Sequence, residues 1–236
     1  MTEHTMNSLG QPIGLPVAGV YPRSRPPFTQ MKGRTCSVVQ LDPELHAPGL
    51  HRAFAHDFDG RNWTYLPYGP FETESEFADW LGKNCTGTDP LFHTVLDNNG
   101  SPIGMASFLR IEPAVGVIEV GHIHFSPLLQ RRPEATETMF LMMRRVFEEL
   151  GYRRYEWKCD ALNAPSCRAA ERLGFTFEGV FRQATHYKGR NRDTAWYAII
   201  DKDWPRICSA FENWLSPENF DDTGQQRAKL MARKDD

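Results

Sequence analysis

The chain has 236 residues, room for one large domain or two small ones, and an ordinary globular composition with 40% hydrophobic and 24% charged residues. Its 27 basic and 30 acidic side chains leave a formal charge of −3, so no overall basic field drives binding to nucleic acid or to an anionic membrane, and any phosphate site must be local. No apolar run approaches the roughly 18 residues of a spanning helix, residues 14–20 are too short and proline-broken for a signal core, and five cysteines without a close pair fit reduced thiols, so the expected location is the cytoplasm.

Residues 1–33 carry Pro12, Pro16, Pro22, Pro26 and Pro27, which forbid a continuous helix or a central strand. They are predicted to form an extended arm, with Ile13, Leu15, Val17, Val20, Tyr21 and Phe28 as material for docking. A strand is predicted over 35–41. Asp42-Pro43 ends it, and Leu50, Ala53 and Phe54 give residues 46–56 helical spacing. Residues 63–71 then set Trp63, Tyr65, Tyr68 and Phe71 beside Pro67, Gly69 and Pro70. A stiff loop with so many aromatics either lids a pocket or is pinned to the core.

Thr73 and Glu76 form a capping-box pattern, and Phe77, Trp80 and Leu81 supply the apolar face of a helix ending near Gly82. Strands are predicted over 92–96 and 102–111, joined at Asp97-Asn-Asn-Gly100, with a third over 116–127. A basic turn over 129–134 leads into a helix ending at Leu150, whose inner face is Met139, Met142 or Met143, and Val146. A strand over 154–159 follows, then a short helix entered through Asn163-Ala-Pro-Ser166 and closed by Leu173-Gly-Phe175. Strands over 177–183 and 194–200 flank the basic tip Lys188-Gly-Arg-Asn-Arg192. Ile207, Phe211, Trp214 and Leu215 mark a last helix, and residues 221–236 read as a frayed polar tail.

Three antiparallel strands passing into a β-α-β unit predict an α/β fold, with a mixed, mostly antiparallel sheet flanked by helices. The expected division is an arm over 1–33, a single domain over 34–204, and a helix with a polar tail over 205–236.

Gln130-Arg-Arg-Pro-Glu-Ala135 resembles the Gln/Arg-x-x-Gly-x-Gly/Ala segment of the Gcn5-related N-acetyltransferases (GNAT), with Pro133 in place of a glycine. Asn163-x-x-Ser166-x-x-Ala169-x-x-x-Leu173-Gly-Phe175 is similar to that superfamily's second coenzyme A segment, in the form found in RimJ/RimL-type enzymes. The resemblance implies a fold of one such domain and transfer of an acetyl group directly from acetyl-coenzyme A to a primary amine. It implies coenzyme A contacts at Ile123, Phe125, Gln130, Arg131, Arg132, Ala135, Thr136, Asn163 and Arg168, and a substrate-side loop carrying Trp63, Tyr65 and Tyr68. Physically, a helix start offers unpaired N–H groups to a pyrophosphate, and Arg131 and Arg132 add full charges. Pro133 suits a helix entry but removes one donor.

An amine must lose a proton before it attacks a thioester. Glu119 matches the family's acidic strand position, and simple alternation puts it on one face with Gly121, Ile123 and Phe125. A β-bulge near Gly121 would bring in His122 instead, so both stand as candidate bases. Many family members donate a proton from a tyrosine four residues before the Leu-Gly-Phe glycine. That position is Ala170 here, and Ser166, one helical turn earlier, is the candidate donor to the leaving thiolate.

His122-x-His124 has no third ligand at diagnostic spacing, so no metal is expected. No nucleotide-binding glycine motif supports phosphoryl or hydride chemistry. The departures at Pro133 and Ala170 keep a non-catalytic coenzyme A-binding or interaction module as the rival reading. A small-molecule amine and a protein N-terminus are both open as acceptors, and monomer and homodimer as assembly states.

Overall fold

The computed structural model describes residues 3–232, so the ends of the arm and tail at residues 1–2 and 233–236 lie outside the described residues. Two strands of the arm, β1 (His4–Met6) and β2 (Pro12–Gly14), pair with each other alone. The remaining strands are β3 (Met31–Lys32), β4 (Cys36–Gln40), β5 (Leu91–Asp97), β6 (Pro102–Glu112), β7 (Val117–Phe125), β8 (Arg154–Asp160), β9 (Thr176–Tyr187) and β10 (Arg190–Ile200). They form one sheet in the order β3-β4-β5-β6-β7-β8-β10-β9. Every pairing is antiparallel except β7 with β8. This is the mixed, mostly antiparallel sheet that the sequence predicts.

Helices α1 (Pro43–Phe54) and α2 (Glu74–Asn84) cover one face. Helix α1 begins three residues before the predicted start. Asp42 caps it by accepting from the N–H groups of Glu44 and Leu45, and Pro43 occupies the first turn, where its missing N–H costs nothing. The Thr73–Glu76 capping box forms as predicted. Leu50, Phe54, Phe77, Leu81, Phe92 and Met105 make the core on this side.

The other face carries α3 (Pro133–Arg144), α4 (Ala164–Arg172) and α5 (Trp204–Leu215). Met139, Met142, Met143 and Val146 pack inward against Ile118, Val120, Tyr155 and Phe211. The predicted helix through Leu150 is α-helical only to Arg144. A π-helical turn over Arg145–Glu149 follows, and Gly151, at φ +65°, reverses the chain. The strands of the last hairpin are longer than predicted. They meet in a two-residue turn with both φ positive, Lys188 at +49° and Gly189 at +70°, the combination that matches strand twist.

The arm is held differently from the expectation. Leu15, Val17, Val20 and Phe28 are exposed rather than docked. The anchor is polar: buried Arg145 donates from Nη1 to the Thr29 carbonyl at 2.7 Å and from Nε to Glu149 at 3.0 Å. A proline-broken chain leaves carbonyls unpaired, and a guanidinium has five donors to satisfy them. Buried Glu137 similarly clasps the β3–β4 turn, accepting from the amides of Arg34 and Thr35 at 2.7 Å each and from the Thr35 hydroxyl. A Cβ at Gly33 would stand 2.6 Å from that carboxylate, so this turn needs glycine.

The tail also departs from the frayed state as far as residue 232. Leu230 and Ala232 are buried, and Arg206 donates to the Ala232 carbonyl at 2.8 Å. Polar contacts help to dock it: Trp214 Nε1 donates to Gln226 at 2.8 Å, and the Ala228 amide donates to Asn219 at 2.8 Å.

Candidate active site

The parallel pairing of β7 and β8 runs only from Val117 opposite Arg154 to Val120 opposite Trp157. Beyond it, β7 continues to Phe125 and β8 to Asp160, the latter paired with β10 on its other side. The two strands part there, leaving backbone edges that face a cleft. Backbone groups released from a ladder need another partner, which a ligand lying between the strands can supply.

A bulge on β7 decides which side chains line each side. Ser107 pairs with Gly121 and Met105 with His124, so Ala106 alone faces His122 and Ile123. His122 takes φ +50°, a left-handed conformation uncommon outside glycine. The simple alternation expected from the sequence therefore fails past Gly121. Ile123 and Phe125 pack into the α3-side core, while His122 contacts Tyr68 and Phe92 on the α1–α2 side. Glu119 shares its face with His122 and His124, not with Ile123 and Phe125.

A second irregularity on β6 puts Arg110 at φ +45°. Asp89 fixes it by accepting from the amides of Arg110 and Ile111 at 2.9 and 3.0 Å. Its guanidinium then reaches Glu119 Oε2 at 2.6 Å. The same oxygen takes Lys158 Nζ at 2.8 Å, and Lys158 also holds Glu156 at 2.7 Å. Arg154 continues the chain of alternating charge to Glu156 at 2.6 Å and Glu178 at 2.5 Å. Glu119 is 3% exposed, so these ion pairs offset the cost of burying its carboxylate.

His122 Nδ1 lies 3.3 Å from the Tyr68 hydroxyl. Burial, with Arg110 nearby, pushes its imidazole down to about 4. It is neutral at pH 7 and able to accept a proton. His124 is pushed down to about 3 by burial between aromatic rings, stacked on Phe54 at 3.8 Å and edge-on to Trp63 at 4.0 Å.

The aromatic loop divides between the two roles weighed from the sequence. Trp63 is a core anchor, packed on Phe54 and Phe71. Tyr68 reaches the cleft side through His122. Tyr65 ties the loop to the entry of α4, donating to the Leu162 carbonyl at 3.1 Å. Lys188 and Arg190 from the last hairpin donate to the carbonyls of Trp63 and Thr64 at 2.9 and 2.8 Å. The loop therefore forms a roof joined to three other segments.

The predicted coenzyme A residues lie on β7, at the entry of α3 and on α4. Arg132 stands at the N-cap position of α3 with no side-chain cap bond, Pro133 takes the first helical position, and Arg131 has φ +62°. The main-chain amides of Arg131 and Glu134 donate to no backbone acceptor among the described residues. Both arginine side chains are exposed; Arg132, with Arg52 and Asn98, lines an open depression of about 630 Å³ beside α1. Gln130 is used locally, donating to the Phe125 carbonyl at 2.8 Å. Ala135 and Thr136 form the first turn of α3, and the Thr136 hydroxyl accepts from Arg172 at 3.1 Å.

Asn163 caps α4 by accepting from the Ser166 amide at 3.2 Å. The Ser166 hydroxyl accepts from Trp157 Nε1 at 3.1 Å, which leaves its own proton to give. Arg168 is exposed, and Ala170 is buried against the core. Arg110 and Lys158 were not singled out from the sequence. Lys158 had a signal, since Glu156, Lys158 and Asp160 alternate with Tyr155, Trp157 and Cys159 on a central strand. Arg110 had none, because a bulge aims it. No cluster of three or more potential metal-binding side chains occurs among the described residues.

Comparison with known proteins places the chain among acetyltransferases. Residues 38–176 match the family model described as an acetyltransferase (GNAT) domain. A GCN5-related N-acetyltransferase from Brucella melitensis is 47% identical, with a TM-score of 0.87 over 89% of this chain and 95% of that one. A GNAT-family acetyltransferase structure from Chromobacterium violaceum is 40% identical, with a TM-score of 0.77 over 83% and 98%. The uncharacterized N-acetyltransferase YnaD of Bacillus subtilis is 25% identical over 151 residues, 64% of this chain and 87% of that protein.

Proposed function

The chain belongs to the GNAT acetyltransferase family, and from that premise we propose that it transfers the acetyl group of acetyl-coenzyme A directly to a primary amine. The observation that carries this reading is the parting of β7 from β8, with a helix N-terminus at one side and a buried, polar acceptor side at the other. The free amides of Arg131 and Glu134, with the Arg131 and Arg132 charges, fit a pyrophosphate. The exposed edge of β7 past Gly121 fits the amides of a pantetheine arm. Arg168 and Asn163 stand at the far rim.

On the acceptor side, both ion pairs of Glu119 fall on Oε2, and Oε1 holds the amine. The amine attacks in its unprotonated form, and neutral His122 takes the proton that the nitrogen sheds as it bonds to the acetyl carbon. The carbon–sulfur bond breaks, and the Ser166 hydroxyl donates to the departing thiolate. Glu119 as the base, through a water, is the second reading; its Oε2 already shared by two cations favours His122. Tyr65 and Tyr68, roofing this side, set the acceptor. The rigid roof favours a slender amine such as a chain end or a small molecule.

Mixing the chain with acetyl-coenzyme A and an amine panel, and following free thiol and acetylated amine together, tests this function. Both products should appear in equal amounts. Binding of acetyl-coenzyme A without turnover on any amine would favour the binding-module reading. Arg131→Asn, a residue that accepts φ +62°, with Arg132→Ala should weaken acetyl-coenzyme A about tenfold and flatten its salt dependence, with Tm nearly unchanged, because both side chains are exposed. Unchanged affinity across a salt series would remove the phosphate role.

A further inference from the structure

We propose that Lys158 is a positioning residue for the transfer, fixing the Glu119 carboxylate across the mouth of the cleft so that one oxygen is committed and the other is presented to the acceptor amine. This rests on the acetyl-transfer reading above.

The geometry leaves Lys158 little else to do. It lies on β8 one residue past Trp157, the last residue paired with β7, so its ammonium bridges the two strands where they begin to part. An ammonium has three N–H donors. One reaches Glu119 Oε2 at 2.8 Å, one reaches Glu156 Oε2 at 2.7 Å, and the charge rests over the Trp196 ring at 3.8 Å. With its side chain only 8% exposed and two of its three donors committed to carboxylates, it acts through Glu119. Arg110 closes on the same Oε2 from β6, but its side chain is 58% exposed and water competes for it. Lys158 is the buried half of the clamp.

Gly121 lies beside the same carboxylate: a Cβ there would sit in ordinary contact with Glu119 Oε1, at 3.8 Å, and would crowd the Leu109 side chain at 2.9 Å. A carboxylate held at one oxygen loses little freedom when it binds, which is how positioning lowers a barrier.

Lys158→Met, Lys158→Arg, Glu119→Gln and the double variant Lys158→Met with Glu119→Gln are compared with wild type for amine acetylation. Lys158→Met should lower kcat about tenfold or more and raise the KM for the amine, while the KM for acetyl-coenzyme A stays within about twofold. Lys158→Arg should recover most of the loss. In the Glu119→Gln background, adding Lys158→Met should change kcat by less than about twofold, because the lysine then has nothing to position.

Lys158→Met leaves Glu156 with one fewer partner, so Lys158→Met with Glu156→Gln is the variant to use if the single change unfolds. Wild-type kinetics in a folded Lys158 variant would overturn the assignment, as would an undiminished loss in the Glu119→Gln background. A wild-type chain inert toward every amine would overturn the transfer reading and this one with it, an outcome distinct from an active wild type with an indifferent Lys158.

Discussion

Replacing His122 by asparagine should lower kcat for amine acetylation by about 10²–10⁴-fold, the range for loss of a general base, with the affinity for acetyl-coenzyme A unchanged. Asparagine is the informative choice because His122 stands at φ +50°, which asparagine tolerates and alanine does not. Its amide can still meet the Tyr68 hydroxyl, so the loss reports proton transfer and not a broken loop. In wild type, the base stays neutral until the pH falls toward about 4, so kcat should hold steady through mildly acidic pH and drop near that value. The free-amine fraction adds its own rise with pH in kcat/KM. Wild-type kcat in His122→Asn, together with a loss in Glu119→Gln that no pH change restores, would move the base to Glu119.

Acidification should unfold the chain cooperatively, and His124→Phe should protect it. His93, His122 and His124 have imidazoles pushed down to about 4, 4 and 3, each chiefly by burial, and His46 is lowered in the same direction. The unfolded chain binds these protons near the ordinary histidine value of about 6.5, before the folded one does. Stability from neutral burial is therefore complete above about pH 6.5 and is lost as the pH falls through the interval down to about 4. At about 1.4 kcal/mol per pKa unit, the two fully buried rings alone account for several kcal/mol, comparable to the whole stability of a typical domain.

His124 is the member to change. Neither ring nitrogen has a partner among the described residues, and the ring stacks flat on Phe54, an interplanar angle of 7°. Phenylalanine keeps the stack and removes two unsatisfied polar atoms. The Tm of His124→Phe should match or exceed wild type at pH 7 and exceed it by several degrees at pH 5, with the slope of stability against pH reduced by about one proton. A marked loss of stability at pH 7 would show that the imidazole is hydrogen-bonded and that its burial is not a liability.

Much of the fold was legible in the sequence because it was written in short-range chemistry. The capping box at Thr73, the proline at the start of α3, the Asp97-to-Gly100 turn and the methionine face of α3 each depend on residues within a few positions of one another. Local steric and hydrogen-bonding rules act before any tertiary contact forms. The two segments that resemble coenzyme A motifs are likewise contiguous, and they gave the family that residues 38–176 match.

The tertiary structure alone decided which side chains share the cleft. The period-two alternation of β7 is correct up to Gly121, but the bulge at His122 arises from pairing with β6 and reassigns Ile123 and Phe125 to the opposite face. Arg110 reaches Glu119 for the same kind of reason, through a bulge that Asp89 fixes from outside the strand. Lys158 finds Glu119 39 positions away only because β7 and β8 lie side by side and then separate. Electrostatic partnership acts across space, and no sequence spacing encodes it. The docked tail at Leu230 and Ala232, and the arm held at Arg145 and Met31 rather than by the apolar residues expected to dock it, follow the same division: the chain specified the groups, and the packing of distant elements chose their partners.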